Sequence, residues 1–144
     1  MEIITVIIYL SIYLGLFATT FYILSFVSYS KKKREFYTDR ELPAVSVIIP
    51  AYNEEETIAK TLKSVLKSDY PNFDIIVIDD GSKDNTLKIA RKFENEKVRV
   101  FHKENGGKGS ALNFGLKLVK GKIVFTMDAD TTVAKESMKN MVRF

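Results

Sequence analysis

The chain is 144 residues long, 46% hydrophobic and 28% charged, with no cysteine, no tryptophan and one histidine. The missing cysteines exclude disulfides, thiolate nucleophiles and cysteine zinc sites, and they fit a reducing cytoplasm. The formal net charge of +4 comes mostly from Lys31-Lys32-Lys33-Arg34, which holds four of the 22 basic residues while Glu2 is one of the 18 acidic ones; residues 35–144 are left nearly balanced, 18 against 17, and nucleic-acid binding loses its electrostatic argument.

From Ile3 to Ser30 there is no charged residue. The run exceeds the ~20 residues that carry a helix across the hydrocarbon, and it predicts a transmembrane helix over 3–30. A cleaved signal would carry its positive charge before the apolar run, whereas here Glu2 precedes it and the basic cluster follows. The positive-inside bias keeps that cluster cytoplasmic, so the N-terminus is expected outside and the soluble domain in the cytoplasm. The cluster could also touch acidic lipid. Tyr29 suits an interfacial anchor, and Tyr9, Tyr13 and Tyr22 suit packing against other membrane helices.

Residues 31–44 read as a basic cytoplasmic linker, closed by Pro43. A strand, loop and helix pattern then repeats four times. "VSVIIP" (45–50), "DIIVID" (74–79), "VRVFH" (98–102) and "KIVFTM" (122–127) are aliphatic runs of the kind found in parallel strands covered on both faces. Between them Ile58, Leu62, Val65 and Leu66 form a helical stripe, with Asn53 placed as its cap and Glu56 at the capping-box position. Leu112, Leu116 and Val119, then Ala134, Met138, Met141 and Val142, give two further stripes expected in the core, and Asp84 and Asn85 read as a helix cap. Such alternation implies right-handed crossovers and a parallel α/β sheet, whose ligand site lies at the carboxyl ends of the strands.

Three strand ends therefore converge: Pro50-Ala51-Tyr52-Asn53-Glu54, Asp79-Asp80-Gly81-Ser82 and Asp128-Ala129-Asp130. After the third strand, "ENGGKGSALN" (104–113) is a glycine-rich turn entering a helix with Lys108 inside it, suited to a phosphate but not a nucleotide P-loop, which would need glycine where His102 stands. A tyrosine can stack on a base, a carboxylate can accept from a base or ribose, a lysine can meet a diphosphate, and two carboxylates can hold a hard divalent ion. Asp128, Asp130 and Thr132 also match the Asp-x-Asp-x-Thr start of an aspartyl-phosphate phosphatase, but that reading leaves "PAYNEE" and "IDDGS" without a role and lacks its downstream Ser or Thr, lysine and acidic groups. A calcium loop would need glycine in place of Val133. His102, with no second His or Cys nearby, reads as a strand-end residue and not as a base.

Taken together, "VSVIIPAYNEEETIAKTLKSVLKSDYPNFDIIVIDDGSKDNT" and "GGKGSALNFGLKLVKGKIVFTMDAD" resemble the N-terminal half of a family 2 glycosyltransferase of the GT-A fold, over residues 45–144, and are most similar to membrane-bound processive synthases of poly-N-acetylglucosamine, hyaluronan, chitin or cellulose. The resemblance implies a Rossmann-like half-domain in which Tyr52 and the Pro50 and Ala51 backbone contact the nucleobase. Glu54 would sit near the nucleoside, Asp80 would hydrogen-bond the base, most often uracil, and Lys108 would lie near the diphosphate. Asp128 would hold the ribose or sugar phosphate and Asp130 would bind Mg²⁺ or Mn²⁺, the two forming a DXD motif that meets the metal. The family reaction is an inverting displacement from a UDP-sugar or similar donor onto a glycan or lipid-linked acceptor, with a carboxylate base in a later acidic motif and a Gln-x-x-Arg-Trp acceptor segment. Neither stands before Phe144. The catalytic base is thus expected beyond it, and these residues are expected to be the donor-binding half of a truncated enzyme. That half could be completed by a second chain, or could be a non-catalytic nucleotide-sugar-binding or membrane-interaction fragment.

Overall fold

The computed structural model describes residues 2–30 and 42–143; the basic cluster Lys31–Arg34 lies outside them. It comprises two units, residues 1–35 and 36–144.

The first unit is a single helix, α1 (Glu2–Ser30), of 29 residues. At 1.5 Å per residue it is about 43 Å long, enough to cross a bilayer, and residues 2–28 are apolar enough to do so. Apolar side chains stand on every side of it, and the large ones are exposed, from Val27 at 43% to Ile3 at 77%. Three of its hydroxyl groups bond within the helix: Ser11, Thr19 and Thr20 each donate to the carbonyl four residues earlier, at 2.9, 2.7 and 2.8 Å.

The second unit is an α/β domain. Its strands are β1 (Val45–Ala51), β2 (Phe73–Asp80), β3 (Val98–Lys103) and β4 (Ile123–Thr126), and its helices are α2 (Ile58–Leu66), α3 (Thr86–Arg91), α4 (Lys108–Leu116) and α5 (Ser137–Arg143). All four strands are parallel, in the order β3-β2-β1-β4, and each agrees with the sequence expectation to within a residue at either end. Val45, Val47, Ile49, Ile75 and Val77 pack on one face with Ile58, Leu62 and Val65 of α2. Ile48, Ile76 and Ile78 pack on the other with Ala111 of α4.

Proline within a central strand normally breaks a ladder. Here the Ile123 and Met127 N–H groups donate to the Ala44 and Ile48 carbonyls, so the even-numbered residues of β1 face β4. Pairing with β4 ends at Ile48. Pro50 therefore points past the end of β4, where no ladder bond is lost.

Three helix expectations need correction. Asn53 does not cap α2. It lies at φ 54°, with its side-chain oxygen accepting the Lys83 N–H at 2.8 Å, and the N-cap position belongs to Thr57. Glu56 consequently has no capping-box partner, since the Asn53 N–H donates to Ser82 Oγ at 3.0 Å. In α4, Leu116 is 51% exposed, while Ala111 and Gly115 are the residues that face the sheet. Val119 follows the end of α4 and packs beside it. In the last stripe Met138 and Val142 are buried but Met141 is 52% exposed, and Ala134 is an exposed residue ahead of α5.

The α4 correction has a steric cause. A Cβ at Gly115 would stand 2.7 Å from the buried Ile48 Cγ2 and 3.4 Å from Ile78 Cγ1, so the helix lies too close to the sheet for a large residue on that face. Gly115→Val should therefore lower stability by roughly 1–3 kcal/mol through overpacking, read as a shift in the urea midpoint. Leu116→Ala, at the exposed position, should shift it by less than about 1 kcal/mol.

Candidate functional site

The carboxyl ends of β1, β2 and β4 and the start of α4 enclose a cleft of about 470 Å³, lined by Pro50, Ala51, Tyr52, Glu54, Asp80, Lys108, Asp128 and Asp130, joined by Asn105, Gly107 and Ala129. Every residue to which the family resemblance gave a donor or metal role thus lines one concave surface. The parallel sheet is the reason, because every strand leaves it at the same edge.

Tyr52 is 45% exposed, its ring available at the rim. The loop behind it is tied to the β2–α3 loop: the Asn53 N–H donates to Ser82 Oγ at 3.0 Å, the Glu54 N–H to Thr86 Oγ1 at 2.7 Å and the Glu55 N–H to Asp84 Oδ2 at 3.1 Å. Asp84 also accepts the Thr86 N–H and hydroxyl at 2.9 and 2.5 Å, ordering the entry to α3, while Asn85 holds the N-cap position without a side-chain cap bond. Burial pushes the Asp84 carboxyl up, but these bonds outweigh it and hold it below its ordinary value.

Asp80 is only 3% exposed. It accepts from Lys103 Nζ at 2.5 Å and from the Gly106 N–H at 3.1 Å. Burial pushes this carboxyl up, yet the Lys103 hydrogen bond and charge, with the Gly106 and Gly107 N–H groups, hold it below the ordinary value of 3.8. On the opposite face Asp79 is fully buried; its Oδ2 meets His102 Nδ1 at 2.7 Å, and its Oδ1 has no partner among the described residues. His102 is thus engaged with a strand-end carboxylate, and neither residue lines the cleft.

Across the cleft, Lys108 opens α4, and its ammonium lies 2.6 Å from Asp128 Oδ1, with the two side chains 62% and 55% exposed. The Asp128-Ala129-Asp130 loop is held from behind. Buried Thr61 on α2 donates to the Ala129 carbonyl at 2.7 Å, Ser64 Oγ accepts the Val133 N–H at 3.2 Å, and the Thr131 N–H closes a turn on the Asp128 carbonyl at 3.1 Å. Thr61, Ser64 and Lys103 are the supports that sequence reasoning missed. Thr61 did leave a signal, a hydroxyl inside the apolar stripe Ile58, Leu62, Val65.

Residues 46–144 match the model of the family described as Glycosyl transferase family 2. The chain belongs to that family. It is 36% identical over 137 residues to a poly-beta-1,6-N-acetyl-D-glucosamine synthase of Staphylococcus aureus, covering 94% of this chain and 33% of that protein. Against an uncharacterized glycosyltransferase of Rickettsia felis it is 41% identical over 102 residues, covering 69% of the chain and 17% of that protein. Among solved structures, S. aureus TarS in complex with UDP-GlcNAc is similar at TM-score 0.64 and 38% identity, over 68% of this chain and 30% of TarS. A Pyrobaculum calidifontis mannosyltransferase in complex with GDP-Man and Mn²⁺ is similar at TM-score 0.70 and 28% identity, over 89% and 40% of the two chains. The second unit has the GT-A fold of these structures, and the chain spans about a third or less of the curated relatives it matches.

For this family 2 chain, the depressed Asp80 value makes stability depend on pH. A carboxyl held lower in the folded state contributes stability in full above its unfolded value near 3.8, and the contribution is lost as pH falls through the folded value. Urea midpoints of wild type and Asp80→Asn, compared from about pH 7 down to about pH 2, should differ most at the upper end and converge at the lower. A gap that stays constant with pH would show that Asp80 does not titrate below its unfolded value.

Proposed function

We propose that residues 45–144 are the donor-binding half of an inverting glycosyltransferase that takes a sugar from a nucleotide-diphosphate donor, with UDP-sugar first in expectation. The convergence of Tyr52, Asp80, Lys108, Asp128 and Asp130 on one cleft carries this reading. TarS with UDP-GlcNAc and the mannosyltransferase with GDP-Man and Mn²⁺ support it.

Each residue has a distinct task. Tyr52 stacks on the nucleobase, against the Pro50 and Ala51 backbone. Asp80, kept ionised, accepts a hydrogen bond from the base, and Glu54 lies near the nucleoside. Lys108 meets the diphosphate as a point charge. Its pairing with Asp128 is half-exposed and screened, hence weak, so an arriving diphosphate draws the ammonium away and leaves Asp128 for the ribose or sugar phosphate.

The cleft is lined by four carboxylates, Glu54, Asp80, Asp128 and Asp130, against one lysine. An anionic donor entering it needs further positive charge. Two carboxylates on one loop, with substrate phosphates and water completing the shell, fit Mg²⁺ or Mn²⁺, and Asp130 with Asp128 would hold the ion. When bound, the ion stabilises the negative charge of the leaving nucleoside diphosphate. The acceptor in this reading is a glycan or lipid-linked sugar. Helix α1 spans the membrane in this reading, with the N-terminus outside and the second unit in the cytoplasm.

Calorimetric titration of UDP and GDP into the full chain in detergent micelles, with and without Mn²⁺, tests the donor site. Wild type should bind UDP in an Mn²⁺-dependent manner, and an Asp128→Ala, Asp130→Ala double variant should lose that dependence together with at least about tenfold in affinity. A folded wild type that binds neither nucleotide would leave the chain as a non-catalytic fragment of the family.

A further inference from the structure

Asp80 is nearly inaccessible to bulk water yet lines the cleft, so what holds its carboxylate decides how it meets a ligand. Lys103, the register partner of Asp80 on β3, does so. Its ammonium, with the side chain 18% exposed, donates to Asp80 Oδ1 at 2.5 Å and also to the Glu104 carbonyl. The Gly106 N–H lies 3.1 Å from Oδ1 and 3.3 Å from Oδ2. The loop folds closely over this ammonium. A Cβ on Gly106 would stand 3.0 Å from Lys103 Nζ and 2.7 Å from Ser110 Oγ, so a side chain there would press on both groups. Lys103 does not line the cleft; whatever it does to a ligand, it does through Asp80 and the loop that leads to Lys108.

We propose that Lys103 is a positioning residue that sets which nucleobases the cleft accepts, by fixing Asp80 as an acceptor that cannot re-aim. The inference rests on the donor-site reading above and adds a selection rule to it. A carboxylate held by an ammonium at Oδ1 and by a backbone N–H shared between its two oxygens presents an oriented acceptor and no donor. Uracil, thymine and guanine offer a ring N–H to such a group. Cytosine and adenine place a ring-nitrogen lone pair at the same point, and their exocyclic amines lie to one side. Only a carboxylate able to rotate, or to pick up a proton, accommodates them, and removing Lys103 leaves Asp80 oriented by the longer Gly106 bonds alone and without the charge that keeps it ionised. A site built around a hydrogen bond discriminates strongly because the wrong partner leaves its buried polar groups unpaired.

The test is titration of UDP and CDP into the full chain in detergent micelles, for wild type, Lys103→Met and Lys103→Arg, with thermal unfolding of each. Wild type should prefer UDP by on the order of a hundredfold or more. Lys103→Met should lose about tenfold in UDP affinity and bring the UDP-to-CDP ratio toward one, whereas Lys103→Arg, which keeps a charged donor, should retain most of the preference. Lys103→Gln serves the same comparison if Lys103→Met does not fold. A variant lacking the charge that keeps the wild-type ratio overturns the inference while leaving the donor site intact. Wild type that binds neither nucleotide overturns the donor reading and this inference together.

Discussion

Strand β1 is hydrogen-bonded in parallel to β2 through all seven of its residues and to β4 through its first four, and both of its faces are buried. Parallel pairing on two sides cannot be made by hairpins. Each neighbour must return by a crossover, the helices of those crossovers cover both faces, and the loops that follow the strands all open at one edge. Fully buried Val45, Ile48 and Ile49 contribute about 1.5–3 kcal/mol each toward holding this arrangement. The cleft is its geometric consequence: residues 50, 80 and 128 are far apart in the chain and adjacent in space because their strands are neighbours and end together.

The site residues are mobile-looking types, carboxylates and lysines on loops, yet few of them are left to find their own positions. Hydroxyl groups of α2 hold the Asp128-Ala129-Asp130 loop from its buried side, the Thr61 bond to the Ala129 carbonyl being the innermost. The Tyr52 loop is tied to the β2–α3 loop by backbone N–H groups donating to Ser82, Asp84 and Thr86. Lys103 and Gly106 hold Asp80. Such supports reduce the ordering that a ligand must otherwise impose, which is where preorganised sites gain affinity. Lys108 and Asp128 differ: they are half-exposed and paired with each other, held by no buried support of this kind among the described residues.

Much was legible in the linear chain. The positions of the four strands, their parallel pairing, the apolar stripe of α2 and the set of residues that line the cleft all follow from local pattern: aliphatic runs of strand length, 3.6-residue spacing, and chemistry placed just after a strand. Helix α1 is equally local, since an uncharged apolar run of this length has few other conformations open to it. The Asn53 cap failed for a physical reason. Its side chain has a stronger claim elsewhere, on the Lys83 N–H, thirty residues away, and a capping box is read from spacing that does not see such partners.

Sequence by itself determined the class of fold and which strand-end residues line the cleft, because periodicity and strand-end placement are properties of neighbours in the chain. Tertiary structure alone decided the rest. Leu116 is exposed and Gly115 buried because the distance between α4 and the sheet is set by Ile48 on another element. Lys103 reaches Asp80 because β3 pairs with β2 in one register and not the next, a one-residue choice that would place it on the opposite face. Steric fit and register are pairwise quantities between distant segments, and no stretch of a single chain carries them.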